Sequence, residues 1–66
     1  MADDANMVGI SADLRKQRED LVRMRTAAMK IANDYQNTDI GNFKVEECRR
    51  LDLAIANIDE ALKAYE

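Results

Sequence analysis

In Cys48-Arg49-Arg50-Leu51-Asp52-Leu53-Ala54-Ile55-Ala56-Asn57-Ile58-Asp59-Glu60-Ala61-Leu62-Lys63-Ala64-Tyr65, the residues Cys48, Leu51, Ile55, Ile58, Leu62 and Tyr65 recur at alternating intervals of three and four. An α-helix brings such positions to one side, so this segment is a helix with one adhesive face. A chain of 66 residues has only one other amphipathic segment to cover that face. That first helix is expected to begin at Ser11, whose hydroxyl can cap free amides, with Asp13 favourably placed against the helix dipole. Leu14, Leu21, Ala28 and Tyr35 follow one heptad register, and Met24 with Ile31 the other, interrupted by Gln17. Val22 and Met29 form a second, weaker apolar stripe outside that seam.

Between the helices, Asn33-Asp34-Tyr35-Gln36-Asn37-Thr38-Asp39-Ile40-Gly41-Asn42 breaks the periodicity with turn-forming residues. Asn42 is the expected N-cap of the second helix, with a start one turn earlier at Asp39 as the alternative. Ile40 and Phe43 are expected to close the end of the core. The fold class that follows is all-α, a two-helix antiparallel hairpin with helices at about 11–36 and 43–65 assembling as a homo-oligomer. Residues 1–10 read as a flexible N-terminal tail and 11–66 as the single domain. Self-association is expected because so short a chain is near the lower size at which one core offsets its own ordering entropy.

Composition narrows the chemistry. With no histidine and one cysteine, the chain lacks the commonest general base, an internal disulfide and a thiolate zinc site. No nucleophile-histidine pair, glycine-rich phosphate loop or calcium loop is present, and Glu46-Glu47 and Asp59-Glu60 are adjacent acids splayed around a helix. The expectation is a non-enzymatic binding or adaptor protein with no cofactor and no metal. Cys48 lies on the apolar ladder and reads as a small core residue, with a reactive thiol as the alternative. Met1 to Asn6 carries two aspartates and no basic group, and no apolar run follows, so neither a targeting signal nor a membrane span is expected. A cytoplasmic setting suits the absence of disulfides, and would be host cytoplasm for a phage-encoded chain.

Charge is unevenly distributed. Residues 11–30 carry six basic groups against three acidic, whereas 43–66 carry four against six. Lys16, Arg23 and Lys30 recur every seven residues, and Arg18 with Arg25 forms a parallel row. One reading is a solvated face exchanging weak ion pairs with Asp52, Asp59 and Glu66. The functional reading is an anion site, with Arg49, Arg50, Arg23, Lys30, Lys44 and Tyr35 as candidate ligand-binding residues. A net charge of −3 and a pI near 4.8 argue against a duplex nucleic-acid partner. For the oligomer interface the candidates are Ala54 and Ala61, which widen the apolar face, the isolated Leu53, and Val22 with Met29.

The segment from Arg49 to Leu62 resembles the second helix of the small phage hairpin proteins that act as anti-CBASS and anti-Thoeris cyclic-nucleotide sponges. In that family the helix opens with arginine, runs through a Leu-x-Leu-Ala ladder and reaches an acidic-Glu-Ala step. Arg49, Leu51, Leu53, Ala54, Ile58, Asp59, Glu60 and Ala61 stand at those positions here. Arg50 stands where the family often has an acid, and Leu62-Lys63 where it often has an aromatic. The resemblance implies a homo-oligomer that holds cyclic oligonucleotides or cyclic ADP-ribose signals between subunits and withholds them from a host immune effector without hydrolysis. Arg49 is the pocket residue that it carries over.

The final helix is also similar, through Ala54-Ile55-Ala56-x-Ile58, to the small acidic hairpins that serve as cochaperones of the needle subunit in type III secretion. That similarity implies a helical protein partner gripped by an apolar stripe. A phage inhibitor of a host protein is the third reading.

Overall fold

A computed structural model of the protein describes residues 2–65, with side chains described from Gly9 onward. It contains two helices, α1 (Ala2–Asp34) and α2 (Asp39–Lys63), which pack antiparallel as a hairpin. The outline is a rod of 54 × 15 × 13 Å. Its radius of gyration, 15.5 Å, exceeds the roughly 11 Å of a compact domain of this length, because two helices form only one layer of contact.

Helix α1 starts earlier than the sequence reading placed it. Ser11 is an interior residue, and the backbone of the segment expected to be a tail is helical from Ala2. No proline interrupts 2–10. Along α1 the residues turned toward α2 are Leu14, Arg18, Leu21, Arg25, Ala28 and Ala32. One expected register, through Leu14, Leu21 and Ala28, is therefore present. The other is corrected: Arg18, Arg25 and Ala32 occupy it, while Met24 is 52% exposed and Gln17 is exposed. Arginine can take such places because its aliphatic stem packs against the neighbouring helix while its head reaches a partner at the edge.

The turn is shorter than its polar composition suggested, covering residues 35–38. Asn37 takes a left-handed backbone (φ 63°), a region that asparagine tolerates better than most residues. Thr38, rather than Asn42, caps α2: its Oγ1 accepts from Gly41 N at 3.1 Å and donates to the Tyr35 carbonyl at 2.5 Å. The alternative start at Asp39 thus holds. Gly41 is buried with its Cα against the Tyr35 carbonyl, so close that a Cβ would lie 2.9 Å from the carbonyl carbon. Only glycine fits that approach without a shift of backbone.

On α2 the ladder read from sequence is the packed face. Cys48 and Leu51 are buried, and Ile55, Ile58, Leu62 and Tyr65 are half-buried. Among the described residues the buried apolar core consists of Ala28, Ala32, Cys48 and Leu51, at 3–8% exposure, and no large side chain is fully enclosed. Cys48 donates from Sγ toward the Arg25 carbonyl at 3.7 Å, as a small core residue. Ile40 and Phe43, expected to close the core, instead stand 57% and 63% exposed. The early start of α2 turns them off the seam.

Candidate functional site

The antiparallel seam divides the hairpin surface by a simple rule. A residue one place after a seam position is turned about 100° to one side, and a residue one place before it about 100° to the other. Because the helices run in opposite directions, the residues that follow the seam line one common edge and those that precede it line the other.

The first edge is ionic. Asp52 and Asp59 follow Leu51 and Ile58, and they receive the seam arginines: Arg18 Nε donates to Asp59 Oδ1 at 2.6 Å, and Arg25 Nε donates to Asp52 Oδ1. The two pairs lie one heptad apart on both helices, which fixes the register. The hydrogen bond that Arg25 donates to Asp52, and then the charge of that carboxylate, raise the Arg25 pKa above its ordinary value, with desolvation opposing. A raised pKa on a cation adds stability that is lost only as pH climbs through it, so Arg25 stays charged throughout the physiological range. The acids of α2 do pair with α1, as one sequence reading had it, but through Arg18 and Arg25; Glu66 lies outside the described residues. Val22 and Met29 are on this edge, and a groove of about 230 Å³ runs beside Met29, Ala32, Gly41 and Val45.

The second, or apolar, edge carries large exposed apolar side chains among polar ones. Ile10, Met24 and Ile31 lie on it from α1, together with Asp13, Gln17 and Asp20; Ile40, Phe43, Ala54 and Ala61 lie on it from α2, together with Glu47, Arg50 and Asn57. Tyr35 ends the seam of α1 with half its surface open. Among these, Ile10, Met24, Tyr35, Ile40 and Phe43 are 44–63% exposed.

The six candidate ligand residues do not converge within one hairpin. Arg23 and Lys30 lie roughly opposite the seam of α1, facing away from α2. Arg23 pairs with Glu19 and Asp20, each at 3.7 Å, along its own helix. Arg49 donates to Glu46 at 3.1 Å and leans toward the ionic edge. Lys44 is on the seam, half-buried, and donates to Glu47 at 2.9 Å. Arg50 follows Arg49 by 100° and leans toward the apolar edge, one heptad from Phe43. Among the described residues, Arg50 and Lys30 make no ion pair. Tyr35 and Arg50 therefore border the apolar edge, and the other cations are either paired or face elsewhere.

The interface candidates are also divided: Ala54 and Ala61 on the apolar edge, Val22 and Met29 on the ionic edge, and Leu53, 68% exposed, nearly opposite the seam of α2. A second groove of about 270 Å³ lies along α1 at Arg18, Glu19, Val22 and Arg23. Both grooves fall below the 300 Å³ or so at which small-molecule pockets begin. Sequence reasoning missed Phe43 as a surface residue; its signal was the heptad it shares with Arg50.

Among the described residues no group of three His, Cys, Asp or Glu could hold a metal ion, and no helix is long and apolar enough to cross a membrane. No family model, curated protein or solved structure matches the chain.

Proposed function

We propose that this chain is a non-enzymatic binding protein that works as an assembly of hairpins, and that the assembly sequesters cyclic nucleotide signals in phage counter-defence. The observation that supports assembly is the mismatch between a core of Ala28, Ala32, Cys48 and Leu51 and an edge of large apolar side chains left open to water. The nucleotide reading rests on the resemblance of α2 and on the Phe43–Arg50 heptad. An aromatic ring and an unpaired guanidinium on one stripe are the pieces that stack a base and bind a phosphate. Since the cations of one hairpin diverge, a phosphate-rich ligand would be held between copies, with Arg49 contributing once Glu46 releases it.

The test is thermal unfolding of the full chain with a panel of cyclic dinucleotides, cyclic trinucleotides and cyclic ADP-ribose. At 100 times Kd, a ligand stabilises the folded form by about 2.7 kcal/mol. For a chain of this size that corresponds to at least 10 °C or so in Tm. Arg50→Glu and Arg49→Glu should each reduce the shift, and the ligand should be recovered intact after denaturation. No shift across the panel refutes the nucleotide reading.

The same open edge suits a second reading, a partner helix laid along it in the manner of a secretion cochaperone. A stoichiometric complex with a helical protein on co-expression from the native genome, together with a single-chain mass in isolation, would decide for it.

A further inference from the structure

We draw no further inference here: the strongest candidate, the open surface patch of Met24, Tyr35, Ile40 and Phe43 on the second edge of the hairpin, is interspersed with charged and polar side chains, and nothing in the structure shows what covers it.

Discussion

The two glycines give the sharpest test of the hairpin, because the same substitution should move stability in opposite directions. Both lie inside helices, where alanine is favoured over glycine by up to about 1 kcal/mol. At Gly9 an added Cβ meets nothing within 4 Å, so Gly9→Ala should realise that gain. At Gly41 the added Cβ would fall within contact range of the Tyr35 carbonyl oxygen, 2.9 Å from its carbon and 3.4 Å from Thr38 Oγ1. The obstacle is backbone, and that carbonyl already accepts from Thr38 N and Thr38 Oγ1. Relieving the clash means opening the turn, at about 1–3 kcal/mol for overpacking of this kind. Loosening the Thr38 cap adds about 1 kcal/mol. Against the propensity gain, Gly41→Ala should be destabilising by about 1–3 kcal/mol.

The assay is thermal unfolding followed by circular dichroism at one protein concentration, because association makes Tm concentration-dependent. Each kcal/mol moves the Tm of a domain this small by roughly 4–8 °C. Gly9→Ala should therefore raise Tm by up to several degrees, and Gly41→Ala should lower it by at least that much. If the two shifts share a sign, the close approach of Gly41 to Tyr35 is not a feature of the folded chain.

Two further outcomes follow from the packing. Cys48, 3% exposed, should resist thiol reagents in the folded protein and react at the rate of a free cysteine in denaturant; fast native labelling would remove it from the core. Arg18→Asp and Asp59→Arg should each lower stability by about 1 kcal/mol or less, the pair being solvent-accessible, and the doubly exchanged chain should recover most of the loss. Absence of coupling in that cycle, at low salt, would argue against the antiparallel register drawn here.

The second helix was legible in the sequence almost residue by residue, since Cys48, Leu51, Ile55, Ile58, Leu62 and Tyr65 all face α1, and the polar run after Asn33 marked the reversal of the chain. The first helix was legible only in part, and the reason is physical. Ranking residues by apolarity puts Met24 on the seam and the arginines outside it, yet Arg18 and Arg25 can pack their stems inward and discharge their heads onto Asp59 and Asp52. A signal for this register was present: two arginines seven apart on one helix and two aspartates seven apart on the other, in the order that antiparallel packing brings face to face. The cap was ambiguous because Thr38 and Asn42 are both good N-caps, and Gly41 decides it by permitting the contact that places Thr38.

The candidate site depends on the same register. Once arginines take two of the six α1 seam positions, Met24 and Ile31 are displaced to one edge, where Ile40 and Phe43 join them because α2 starts at Asp39. The hairpin thus admits two arginines to an otherwise apolar internal contact and leaves several large apolar side chains outside, more than a free-standing monomer of this size needs. That open apolar surface is the strongest reason to look for function along this edge, and to look for any anionic ligand at Arg50.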